Sequence, residues 1–228
     1  MTQSKVEIRA PHHHAEGKRQ SREKLVLLCQ LLGTVAVLGW VPGNGAKLAT
    51  MVVLWGFTFG HLSRAELVTL AGVNLIFAGM NTAALARGIF RFDHPDLFGM
   101  PVYEYLMWGF YTLHTTRSLG GTSPCQPPVA AAIGAILFAM PFATIADPTL
   151  LLLASAVMLV ACFVCFHEPM DWSYAGYMAA LGGLVEIVGV GTGQWHYPHQ
   201  PNGGVPFWFV TMWAGVGLFT RRLILPLL

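Results

Sequence analysis

The chain has 228 residues, 54% of them hydrophobic and 11% charged, with a mean hydropathy of +0.55. A soluble domain carries about 25% charged residues, so this composition excludes an ordinary soluble globule and points to an integral membrane protein. The net charge of +2 is too small to argue for nucleic acid, and the four cysteines form no zinc-like set.

Residues 1–24 form a polar leader carrying Lys5, Arg9, Lys18, Arg19, Arg22 and Lys24. No small-residue cleavage site follows the next apolar run, so the leader reads as a topology signal and not as a cleaved signal peptide. His12, His13 and His14 belong to it. A membrane-crossing helix needs about 20 apolar residues. Eight segments are candidates: 25–41, 46–62, 65–87, 101–119, 129–146, 148–167, 172–192 and 205–225. Breakers separate them, including Pro42-Gly43-Asn44-Gly45, Asp147-Pro148 and Glu168-Pro169. Cys162 and Cys165 lie inside the sixth run, where small thiols read as packing residues.

Residues 88–117 and 193–222 align without a gap at a constant offset of 105. Gly88/Gly193, His94/His199, Gly99/Gly204, Pro101/Pro206, Met107/Met212, Trp108/Trp213, Leu113/Leu218, Thr115/Thr220 and Arg117/Arg222 are identical pairs. The offset extends backward, with residues 48–54 matching 153–159. Fixed-period similarity implies a repeated structural unit. The expected fold is all-α and polytopic, with about eight transmembrane helices. They form two tandem four-helix repeats, 25–120 and 129–225. An even number of helices per copy puts both copies in the same orientation. Lysine and arginine near the helix ends favour a cytoplasmic N-terminus and C-terminus. The motif loops 88–101 and 193–206 then face the other side, the periplasm if the membrane is a bacterial inner membrane.

Ionisable side chains inside spanning segments are costly and therefore functional candidates. Glu104 lies about one turn inside the fourth segment, and Glu186 about two turns below the loop at 193. Their repeat equivalents are Phe209 and Asn81. Each half thus gives one carboxylate at a non-equivalent position, as an asymmetric site between related halves requires. His94 and His199 occupy equivalent loop positions, with His196, Asp93 and Asp96 nearby. These are candidates for proton transfer. A metal ion, if one binds, would use His94, His196 and His199. Gly99-Met-Pro101 and Gly204-Val-Pro206 read as helix starts. Tyr103, Trp108, Trp195, Tyr197 and Trp213 belong to an aromatic layer that serves either as an interfacial belt or as a lining for an apolar ligand. Asn74 and Asn81 share one face of the third helix and are expected to line the same cavity. His61 and His114 lie at helix ends or deep in helices, and His167-Glu168 reads as an interfacial polar pair.

The run Glu186-Ile-Val-Gly-Val-Gly-Thr-Gly-Gln-Trp-His-Tyr, followed by Gly204-Val-Pro206 and Trp213, resembles integral-membrane carotenoid biosynthesis proteins of the carotenoid hydratase type. Phe98-Gly-Met-Pro-Val-Tyr-Glu-Tyr-Leu resembles the Pro-x-Glu-Glu segment of the small heterodimeric lycopene cyclases. Those have two adjacent acids where this chain has Tyr103-Glu104, so only Glu104 carries over. The likeness covers about a third of the chain. It implies a bilayer-dissolved isoprenoid substrate and a reaction begun by protonating a carbon–carbon double bond. Cyclisation, isomerisation or hydration follows, and no cofactor is needed. The partners implied are the lipid-soluble substrate and the bilayer. Two alternatives stand beside this: a small-solute or proton transporter with parallel repeats, and a metal-dependent membrane oxidoreductase using the His94 and His196/His199 loops.

Overall fold

The computed structural model describes residues 12–200 and 204–228. Its helices are α1 (His12–Trp40), α2 (Asn44–Phe59), α3 (Arg64–Ala86), α4 (Glu104–Leu119), α5 (Pro128–Thr144), α6 (Pro148–Phe166), α7 (Pro169–Gly191) and α8 (Trp208–Phe219). α8 runs on through a π turn over Thr220–Ile224. Two short strands, β1 (Arg91–Phe92) and β2 (Trp195–His196), complete the described residues.

Local chemistry accounts for the helix boundaries. Ser63 and Glu66 close a reciprocal capping box at the start of α3. Asp147 accepts the Leu150 N–H at 2.7 Å, and Pro148 follows as the first residue of α6. Two expectations need correction. The leader is not separate from the first helix, because α1 already begins at His12. Lys5 and Arg9, and the side chains of residues 12–20 with the His12–His14 run, lie outside the described residues. Pro101 and Pro206 do not open their helices either. Each sits in a preceding turn whose carbonyl accepts the N–H three residues on, from Glu104 at 3.1 Å and from Phe209 at 3.2 Å. The α-helices then start at Glu104 and Trp208.

Four helical segments are long and apolar enough to cross a membrane: Ser21–Trp40, Arg64–Ala86, Pro148–Phe166 and Pro169–Gly191. The outer surface is apolar to match. Phe57, Val68, Leu75, Ile76, Val157 and Val164 are exposed. Continuous exposed apolar surface on this scale marks contact with lipid. The interior is where the polar side chains lie, including Gln30, Thr34, Asn74, Asn81, His114, Ser155, Asp171 and Glu186. Such burial is stable only when hydrogen bonds replace lost water. Ser155 meets Thr211 at 2.6 Å, and His114 bridges Gln30 at 2.9 Å and Tyr177 at 2.7 Å.

At one end of the bundle, α3 and α7 finish in the same way. Gly88 and Gly193 take φ of 70° and 66°, a left-handed geometry that glycine adopts at little cost. Gly88 N–H donates to Leu85 and Gly193 N–H to Val190. The chain then enters β1 and β2, which pair antiparallel with Arg91 opposite His196 and Phe92 opposite Trp195. α2 braces both loops: Asn44 Nδ2 donates to the His94 carbonyl and to Asp96, and Lys47 Nζ to Gln194 Oε1.

At the other end, arginines clamp the helices. Arg117 of α4 binds Glu66 of α3 at 2.7 Å. Arg221 and Arg222 bind Asp171 and Glu168 at the start of α7, and Arg222 also lies 4.1 Å from the centre of the Phe166 ring. The expected His167–Glu168 pair does not form, because Glu168 is taken by the arginines and His167 contacts the Cys165 carbonyl. Burial alone would push the Glu168 carboxyl up. The Arg221 hydrogen bond, the Cys125 N–H and both arginine charges outweigh it and hold the carboxyl below its usual range. A depressed carboxylate stabilises the fold above its unfolded pKa, and that stability is lost as pH falls through the folded value. Thermal unfolding in detergent should therefore show wild type losing stability below about pH 4. Glu168→Gln should start lower and show a flatter acid limb. Parallel acid limbs would contradict the assignment.

Candidate functional site

Glu186 sits on α7 with Gly182 four residues before it and Gly189 three after, all on one helical face. A side chain at Gly182 would collide with the ring of Trp213, and one at Gly189 with the ring of Trp195. The two glycines carve a trough, the indoles lie in it, and their N–H groups turn onto the acid. Trp195 Nε1 donates to Glu186 Oε2 at 2.9 Å, Tyr197 OH to the same oxygen at 2.8 Å, and Trp213 Nε1 to Oε1 at 3.3 Å. Indole N–H can only donate. Glu186 is thus met mainly as an acceptor, the role an ionised carboxylate fills.

Glu104, in the first turn of α4, has one hydrogen-bond donor, Asn81 Nδ2 at 3.0 Å. The Trp108 indole lies beside it and Glu186 is within electrostatic range. Among the described residues the Trp108 N–H is nonetheless buried without a hydrogen-bond partner, as is the Tyr103 hydroxyl. Trp108 is sandwiched between Phe77, with centroids 4.0 Å apart, and Trp213, at 4.7 Å. Tyr111 meets Trp213 edge-on at 5.1 Å. The two carboxylates are therefore joined by a stacked indole pair, one indole bonded to Glu186 and the other beside Glu104. Buried polar groups are almost always satisfied, so two orphaned donors here leave hydrogen-bonding capacity unused.

A cleft of about 300 Å³ reaches this assembly from the loop end. Ile145, Leu151, Tyr197 and Trp208 line it, and Arg87, His199 and Gln200 lie at its polar side. Tyr197 both lines the cleft and donates to Glu186.

Asn81 donates to Glu104, a contact the sequence did not indicate. Asn74 does not join it in one cavity: its Oδ1 accepts the Gly109 N–H at 2.6 Å, where the missing side chain lets α3 press against α4. Trp195, Tyr197 and Trp213, expected as lining, are primarily donors to Glu186. Asp93 pairs with His196 at 2.6 Å, while Asp96 accepts from Asn44 and from the Val102 N–H. These contacts hold the loops. Among the described residues, no three His, Cys, Asp or Glu side chains gather where they could hold a metal ion. Sequence reading passed over Tyr111 and the Gly182/Gly189 trough. The small-residue spacing around Glu186 was the available signal. The sequence also gives no sign that Lys47 turns inward, where its side chain is buried against Tyr103.

Comparison with family models, curated proteins and solved structures finds no match to this chain.

Forcing a methyl group into the trough should displace an indole from Glu186. Overpacking costs about 1–3 kcal/mol. Gly189→Ala should therefore lower the unfolding temperature and shift tryptophan emission, while Gly176→Ala, with open space around it, should do neither. Equal behaviour of the two variants would refute the trough.

Proposed function

We propose that this protein is a membrane enzyme that protonates a double bond of a lipid-soluble isoprenoid, with Glu104 as the acid and Glu186 as the charge-stabilising carboxylate. The observation that carries this reading is two carboxylates with unequal surroundings, Glu186 buried and Glu104 half-buried, joined by stacked indoles. Glu186 is met by three donors and suits the anion. Among the described residues Glu104 accepts one hydrogen bond, from Asn81 to Oε1, which leaves Oε2 able to carry and deliver a proton. General acid catalysis needs that division of labour.

Glu104 transfers its proton to one carbon of a C=C bond, and the π pair forms the new C–H bond. The adjacent carbon becomes cationic in the cleft beside the rings of Tyr197 and Trp208, which stabilise positive charge, with the anion of Glu186 bonded behind Tyr197. In cyclisation or isomerisation a second alkene or a neighbouring C–H bond quenches the cation, and a proton returns to a carboxylate. In hydration water adds and its proton restores Glu104. Each route closes the proton balance without a cofactor.

The wider architecture belongs to the same proposal. We infer eight spans arranged as two four-helix repeats in parallel, with both termini cytoplasmic and β1 and β2 on the far side. The 105-residue offset relates α3 to α7 at both ends and pairs Arg117–Glu66 with Arg222–Asp171. It also makes Arg91 the equivalent of His196, the residue it faces across the strands, and Trp108 the equivalent of Trp213, the residue it stacks on. A pseudo-two-fold axis through these contacts would run along the membrane normal. The transport reading needs a polar path through the bundle. The Gln30–His114–Tyr177 chain has no hydrogen bond to Glu104 or Glu186 among the described residues.

Solvent extraction of purified protein, read by mass spectrometry and visible absorbance, should yield a bound isoprenoid. Conversion of that compound should fall at least about 100-fold in Glu104→Gln, with less loss in Glu186→Gln and normal unfolding temperatures in Glu104→Gln. Full activity in Glu104→Gln would rule out its role as the acid.

A further inference from the structure

We propose that a second pocket, lined by Arg87, Arg91, His196 and His199, holds the phosphorylated head of a single-chain amphiphile whose apolar chain enters the cleft toward Tyr197 and Glu186. This deepens the function proposed above and rests on it, because it names the substrate class of the same site.

The second pocket, about 420 Å³, adjoins the cleft and shares Arg87 and His199 with it. Its cationic side chains have few competing acids. Asp93 is engaged by His196, and Asp96 by Asn44 and the Val102 N–H. Among the described residues neither Arg87 nor Arg91 forms an ion pair. In the proposed orientation both lie away from the cytoplasm, against the usual distribution of arginine. Two guanidiniums a few residues apart suit the bidentate capture of phosphate oxygens.

The repeat explains why only one such entrance is open. In the first half, Asn44 and Lys47 close the corresponding region by binding loop 93–96 and Gln194. The positions 105 residues later are Thr149 and Leu152; Leu152 has no donor, and neither side chain bonds the 198–200 loop among the described residues. The gap opens beside Pro148 and Leu151 as the cleft, and Arg87, shared with the second pocket, is the guanidinium among its lining. An apolar slot of this size with cations at one side fits an isoprenoid chain carrying a phosphorylated end. It leaves the double bonds, not the head, near Glu186.

The test is tryptophan-fluorescence titration in phosphatidylcholine nanodiscs, using geranylgeranyl diphosphate, geranylgeraniol and inorganic pyrophosphate. Wild type should bind the diphosphate at least about tenfold more tightly than the alcohol, with pyrophosphate weaker than both. The Arg87→Gln/Arg91→Gln variant should bind diphosphate and alcohol alike. Equal binding of the two by wild type, or no change in the variant, would overturn the proposal. So would pyrophosphate binding as tightly as the amphiphile, or phosphatidylglycerol abolishing the diphosphate response. The Glu186→Gln variant separates the two claims. If it keeps charge-selective binding, the head site stands whatever becomes of the chemistry. If the double arginine variant converts an uncharged isoprenoid at the wild-type rate and binding never depended on charge, the chemistry stands and the head site falls.

Discussion

A carboxylate at bilayer depth has to be surrounded by donors, because an unpaired buried charge costs several kcal/mol. Glu186 meets this constraint, and much of the non-cytoplasmic half of the proposed arrangement is organised around it. Trp195 and Tyr197 reach it only because Gly193 turns the chain sharply after α7 and β2 pairs with β1. Trp213 reaches it only because Gly182 leaves room between α7 and α8. The bond network thus couples both motif loops and α8 to one side chain. The arginine clamps at the opposite end hold the same helices together without entering the site.

In the proposed arrangement duplication supplies the scaffold and asymmetry the proposed chemistry. The strand pair and the stacked tryptophans join equivalent residues of the proposed repeats. The acids do not, since Asn81 stands where the second half has Glu186, and Phe209 stands where the first has Glu104. Asn81 then donates to Glu104, so the equivalent of one acid supports the other. An asymmetric pair can hold one acid ready to give a proton and the other ready to balance charge. Two identical sites could not divide those tasks.

Much of this was legible in the sequence. Apolar runs located the helices because bilayer thickness sets a length that composition reveals, and the breaker at Asp147 fixed one start through its cap. The two acids were legible because charge within an apolar run is costly. The roles of their neighbours were not. Trp195 and Trp213 look like any interfacial aromatics until α7 and α8 are packed, since a donor is recognised only by what lies in front of it. Arg221 and Arg222 read as topology signals because Asp171 and Glu168, their partners, lie some 50 residues away. The role of Lys47 is hidden for the same reason, its acceptor Gln194 lying 147 residues away.

The central claim is that Glu104 hands a proton to carbon. Turnover of the extracted isoprenoid in D₂O addresses it directly. The account predicts product carrying one non-exchangeable deuterium at the carbon that is protonated, and no such label from Glu104→Gln. Product formed by wild type without carbon-bound deuterium would contradict it.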